Sequence, residues 1–423
     1  LKFFAGRMKL ELLRNLPPEM YLAPHARDAW DQCPLSTATD AELIDAVAAT
    51  IAPPKATASN SFILHAPLEL LARASLLPRV TVEARPAARR RIAEIAVRYA
   101  HAGEEIAIPT KSYPNIATAI AALTDALQVG DVNETDAALT FLLRRVPLRQ
   151  LRATVMDNIV PMLGAAGHAP ILLAALPRFT GRIADLGKLL RAPMLSLARG
   201  HASRVAWHRS DTGGTLLNEP ANELFSRLAA PPRLKTSSNS IAPTVLAVER
   251  SGDAARLLAD PVRNIPAEEA ERVLLRIAAW SMLQDDRANA PYGWTHCLTL
   301  PQALLQNADA ASDHRALIAV AATEVLAFRA TEGSMDIDDH RTFAADEIGI
   351  DASIAFHTAP AERNALITKM ATNAACHHDA HLAKYTVACF DAAERDPEAA
   401  RLFLAATAYL GAWWRQHDHR PRA

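Results

Sequence analysis

The sequence has almost no net charge, since its 45 Lys and Arg nearly cancel its 46 Asp and Glu. That balance withholds the electrostatic footprint that nucleic acid or an anionic membrane surface requires, so neither is expected as a partner. Cysteine is scarce and dispersed. Cys33, Cys297, Cys376 and Cys389 form no C-x-x-C pair, which removes a disulfide framework, a zinc ribbon and C-x-x-C-H haem attachment, and the reducing cytoplasm is the expected compartment. Long hydrophobic runs are missing too. Even "MLGAAGHAPILLAALPRF" is broken by Gly, His and Pro, short of the roughly 18 uninterrupted apolar residues of a membrane span. The leading "LKFFAGRMKLELL" carries charges inside its apolar run and lacks a small-residue cleavage site, so a secretory signal is not expected.

Nucleotide loops are absent as well. There is no G-x-G-x-x-G, and "GRIADLGKLL" from Gly181 has the wrong spacing for a Walker loop and no Ser or Thr after Lys188. Neither G-x-S-x-G nor H-E-x-x-H occurs, and none of the 15 histidines has Glu three residues before it, which excludes the paired Glu-x-x-His ligands of ferritin-like di-iron bundles. "MDIDDHRTFAADE" lacks the Gly and terminal Glu of a calcium loop and reads as a polar loop. Arg89, Arg90 and Arg91 read as a solvated helix face with Glu94.

What is present is helical. Ala and Leu dominate, β-branched and aromatic residues are sparse, and windows such as "AEEAERVLLRIAAWSML" repeat apolar residues at i, i+3, i+4 and i+7. Pro and Gly fall mostly between such windows, as in "IAPPKATASNS" and "LAAPPRLKTSSNSIAP". The pattern predicts an all-α protein, a large multi-helix bundle of about fifteen to seventeen helices with a central pocket lined by histidines. A polar stretch over 207–242 separates an N-terminal helical half, 1–206, from a C-terminal half, 243–423, either as a connection between two units or as a surface excursion of one continuous bundle.

The histidines are unevenly placed. "AACHHDAHLAKY" sets His377, His378, Asp379 and His381 close together, and on one helix His377 and His381 would share a face. The apolar stripe through Ala383, Val387 and Phe390 predicts that this segment packs and that at least one of its imidazoles is partly buried. "HAPLELLA" from His65 and "HAPILLAA" from His168 repeat one pattern, and Pro two residues after His places each at the mouth of a helix. His296 in "GWTHCLTLPQALL" is placed similarly. Converged on one pocket, His65, His168, His296, His377 and His381 form a candidate metal-ligand set; left apart, they are capping or satisfied core groups.

These segments resemble the questin oxidase-like family, helical proteins related to fungal Baeyer–Villiger enzymes of aromatic polyketide pathways. "HDAHLAKYTVACFDAAERDP" is similar to that family's Asp-x-His-x-x-Lys segment, here Asp379, His381 and Lys384, while "GAAGHAPILLAAL" and "GWTHCLTLPQAL" resemble its other His-bearing motifs. The resemblance covers short stretches between residues 60 and 410. It implies an oxygen-dependent monooxygenase acting on a small aromatic or polyketide-like substrate, with NADPH as an external electron donor. Without a flavin motif, oxygen chemistry has two routes: a His-ligated non-haem iron, or a reactive substrate anion formed by a histidine base with Lys384 as its electrostatic partner. Asp379, His381 and Lys384 are the candidate catalytic residues. A different class of function, a non-enzymatic helical protein binding a ligand or partner with structural histidines, stays open, as does the oligomeric state. Trp413 and Trp414 suit a pocket wall or an interface anchor, although packing of the last helix is the commoner reason for such a pair.

Overall fold

The computed structural model describes residues 30, 33–56, 61–210, 214–236, 240–340, 343 and 346–417. Among them are eighteen α-helices, one more than the upper expectation, and no β-sheet beyond two isolated bridges, Lys55 with Glu105 and Met162 with Arg204. The first group is α1 (Asp40–Ile51), α2 (Ser61–Leu76), α3 (Arg85–Ala100), α4 (Ile116–Val129), α5 (Val132–Leu143), α6 (Leu148–Ile159), α7 (His168–Ala175) and α8 (Arg191–Arg199). Next come α9 (Pro220–Ala229), α10 (Ile241–Ser251), α11 (Asp253–Asn264), α12 (Ala267–Gln284) and α13 (Thr295–Gln306). The chain continues through α14 (His314–Glu332), α15 (Glu347–His357), α16 (Arg363–Cys376), α17 (Ala380–Arg395) and α18 (Ala400–His417). No helix is long and apolar enough to cross a membrane.

Local chemistry sets the ends. Thr39 and Glu42 form a reciprocal capping box at α1, with the Thr39 N–H donating to Glu42 Oε2 at 2.9 Å. Asn115, Asp131, Asp313, Asp346 and Asp379 cap five later helices through their side chains. At the end of α4 the chain turns back at Gly130, whose φ of 82° favours a residue without Cβ; an added Cβ would also meet His201 Nδ1 at 2.3 Å.

One ring of helices positions everything that follows. α2 packs on α17, α17 on α13, α13 on α7, and α7 back on α2. The ring draws two helices from each side of the polar stretch, and their apolar faces join one continuous hydrophobic core. Residues 207–242 supply α9, whose Leu224 and Leu228 are buried where it meets α11, α12 and α14. Of the polar loop expected over 335–347, residues 335–340, 343 and 346 lie outside any helix and Glu347 opens α15, while 341, 342, 344 and 345 lie outside the described residues.

Arg89 departs from the expected solvated face. It is buried, pairs with Asp40 and donates to the Leu35 carbonyl at 3.0 Å, so it fastens the start of α1 to α3. An Arg that satisfies backbone carbonyls outside its own helix cannot be told from a surface Arg by helical period. Arg91 also reaches out of its helix, donating from Nε to the Cys376 carbonyl at 3.0 Å.

Candidate active site at a histidine cluster

Each helix of the ring carries one histidine towards the same place. The rings of His65 and His168 stack with centroids 4.6 Å apart, His65 meets His381 edge-on at 4.8 Å, and His381 meets His296 at 5.1 Å. His168 and His381 are buried; His65 and His296 are half-buried. His168 is the first residue of α7, and His296 and His381 are the second residues of α13 and α17. His65 corrects the expectation of a helix mouth. α2 begins at Ser61, so His65 lies a full turn inside and Pro67 sits within the helix.

The triplet His377, His378 and His381 is divided by a helix boundary. α16 ends at Cys376 and α17 begins at Ala380, so His377 and His381 do not share a helical face. The break arises because Asp379 turns its carboxylate back onto the chain, taking the His381 N–H at 2.7 Å as an N-cap, while the Asp379 N–H donates to His377 Nδ1 at 3.0 Å. His377 therefore turns away from the four converging imidazoles, its ring 4.3 Å from His378 and 5.2 Å from Trp414.

The hydrogen bonds fix which nitrogen is reactive. His381 Nδ1 lies 3.2 Å from Asp379 Oδ1. Burial alone would raise Asp379, but the hydrogen bonds and charge of His381, with Lys384 beyond, hold it down to about 2. A carboxylate only accepts, so His381 Nδ1 carries the hydrogen and Nε2 keeps its lone pair. His296 is fixed in the same way by the Tyr292 carbonyl, which a single π-helical turn, Ala290–Trp294, offers to its Nδ1.

Electrostatics disfavour charge on three of the imidazoles. Burial is the first cause that lowers His65, His296 and His381; Lys384 repels all three, neighbouring histidines add to this at His65 and His296, and the Asp379 and Glu69 carboxylates oppose it at His381. Lys384, one turn beyond His381, is itself lowered by burial to about 8, with the Asp379 and Glu69 carboxylates opposing the shift. Its ammonium makes no hydrogen bond or ion pair among the described residues. Helix N-termini point at the cluster and add positive potential, so the arrangement disfavours imidazolium and favours an anion beside it.

A cleft of about 1200 Å³ opens onto His65 and His381. Phe62, Tyr292, Trp413 and Trp414 give it aromatic walls, and Glu69 and Arg98 stand among them. Tyr292 presents its ring edge-on to His381 at 4.9 Å, and Arg98 lies over the Phe62 ring at 4.0 Å. Sequence reasoning missed Tyr292, Glu69, Phe62 and Arg98. Two of them had a signal: Glu69 and Tyr292 lie four residues from His65 and His296 on the same helical faces.

Neutral imidazoles are suitable donors for iron. Their arrangement does not fit it: the rings stack and meet edge-on, and among the described residues no three His, Cys, Asp or Glu side chains are placed to hold one metal ion. What the geometry supplies is an oriented base, Asp379–His381, with a cation one turn away.

No family model, curated protein or solved structure matches the chain.

Proposed function

We propose that the chain is an oxidoreductase consuming oxygen to oxidise a small aromatic, phenolic or quinone-like molecule of the kind the questin oxidase-like resemblance implies. The observation that carries this reading is the Asp379–His381 pair, with a bare Nε2, facing an aromatic-walled cleft next to Lys384. His381 takes the phenolic or enolic proton, while Asp379 holds the imidazole and offsets the charge it gains. Lys384 and the helix N-termini stabilise the resulting anion. The electron-rich anion then reduces dioxygen as a new carbon–oxygen bond forms. In a Baeyer–Villiger outcome one oxygen atom enters the carbon framework and the other leaves as water, with NADPH donating the hydride and solvent the second proton.

Oxygen uptake with polyphenolic and quinone-like substrates, with and without NADPH, tests this. The expected result is uptake matched to substrate loss and reduced by about 10²–10⁴ in His381→Ala. Bound metal is measured on the same samples. Metal that is present in the wild type and lost in step with activity would replace the base mechanism with a ligated iron. Tight binding of such molecules with no uptake would favour the ligand-binding reading instead.

A further inference from the structure

Beyond the histidines the same four helices line a second, narrow cavity of about 70 Å³. Its lining follows one rule. Each helix turns towards it the third, sixth, seventh and tenth residues after its histidine, so the four helices leave the cluster in the same sense around a common space. The third positions are Leu68, Ile171, Thr299 and Lys384. The seventh are alanine in every helix: Ala72, Ala175, Ala303 and Ala388. At the tenth positions the lining becomes polar, with Ser75, Arg178, Gln306 and Asp391, and Arg178 pairs with Asp391 while Gln306 donates to the same carboxylate at 3.4 Å. The exposed Arg178 marks the solvent end, and Lys384, one turn beyond His381, marks the end nearest the imidazoles.

The wide cleft and this bore share no lining residue: His65 and His381 line the first, and Lys384, one turn beyond His381, lines the second. The bore is too small for an aromatic molecule. The layer of four alanine methyls offers a water no hydrogen-bond partner, while Thr299, Gln302 and Lys384 stand on its inner side and Ser75, Gln306 and Asp391 on its outer side, so a water loses partners in passing that layer and a small apolar guest does not. We propose that this bore is the entry and holding site for dioxygen, loaded past the Arg178–Asp391 pair and delivered at Lys384. The proposal rests on the oxygen-consuming reading above. A cation at the inner end suits it, because dioxygen becomes anionic as it accepts electrons.

The test uses dissolved oxygen itself, whose paramagnetism broadens nearby methyl resonances. In the full chain with labelled alanine methyls, Ala72, Ala175, Ala303 and Ala388 are expected to broaden under oxygen pressure more than Ala321 and Ala322, which are fully buried in α14. Ala303→Leu should abolish the effect, with Ala72→Val as the gentler plug if the leucine variant does not fold. In turnover either plug should raise KM for oxygen about tenfold and leave KM for the aromatic substrate within about twofold. Equal broadening of bore and control methyls, or an unchanged oxygen KM in a folded plug, would overturn the proposal. Selective broadening without any oxygen uptake would sink the functional reading and leave the gas site standing, so the two fail separately.

Discussion

Asp379 holds His381 twice: its Oδ1 takes the backbone N–H at 2.7 Å and faces ring Nδ1 at 3.2 Å. One carboxylate therefore starts α17 and orients the imidazole that α17 carries. Asparagine caps helices as well as aspartate does, but it supplies no charge to offset an imidazolium. Asp379→Asn is expected to leave stability within about 0.5 kcal/mol while lowering turnover at least about tenfold. Asp379→Ala should add a capping loss of about 1 kcal/mol. Urea unfolding and oxygen-uptake rates on the same variants check both.

The all-α class was legible because Ala and Leu windows at helical period need no tertiary information. The convergence of His65, His168, His296 and His381 was legible only as a possibility, since helix entrances say where a side chain starts and not which helices meet. His377 was misplaced because a helix read through "CHHDAH" ignores the competing chemistry of Asp379, which prefers a cap to a helix interior. The echo "HAPLELLA" and "HAPILLAA" held more than was taken from it. Its final alanines, Ala72 and Ala175, stand seven residues after a histidine, and so do Ala303 and Ala388; that spacing is what unites the four helices around the second cavity. Tyr292 shares with His296 the four-residue spacing a helix gives, but the π-helical turn that offers its carbonyl to that ring is reported by no periodicity.

Lys384 links stability and rate in opposite senses. Its folded pKa is about 8 against an ordinary 10.5, because burial disfavours the ammonium. Below pH 8 both folded and unfolded chains carry the proton, and the folded state bears a penalty on the order of 3 kcal/mol. Between pH 8 and 10.5 the unfolded chain holds more protons, so the stability of the wild type should rise with pH. Lys384→Met should stabilise the protein at pH 7 and lose that advantage by pH 10.5. Turnover moves the other way: kcat/KM of the wild type should fall above about pH 8 as the cation is lost, and Lys384→Met should lack that limb. Denaturation midpoints and pH–rate profiles provide the two measurements.

The fold also depends on a charge pair with no solvent contact. Arg329 and Asp285 both have fully buried side chains, and Asp285 Oδ1 accepts from the Ser334 N–H and hydroxyl at 2.7 Å each, while Arg329 donates to the Ala229 carbonyl at 3.0 Å. The pair ties α14 to the end of α12 and to the loop after α14. Asp285→Ala strands a buried guanidinium and is expected to cost about 3–5 kcal/mol, measured as a shift in the urea midpoint. Replacing both residues with apolar ones should cost much less than that single change, because the uncompensated charge is gone.

His377 separates a structural histidine from a functional one. It belongs to the candidate ligand set read from the sequence, yet its Nδ1 accepts from the Asp379 N–H at 3.0 Å and its ring packs 5.2 Å from Trp414. Its contribution is to the turn that delivers Asp379 to α17. His377→Ala loses a hydrogen bond and packing, so a destabilisation of about 1–2 kcal/mol is expected with turnover within about threefold of wild type. His296→Ala, which removes an imidazole 5.1 Å from His381, should lower turnover by at least about tenfold. A thermal scan beside an oxygen-uptake assay distinguishes them. If His377→Ala abolished turnover in a stable protein, the active group would have to include the imidazoles before α17, and the assignment of His381 as the base would give way to a shared role.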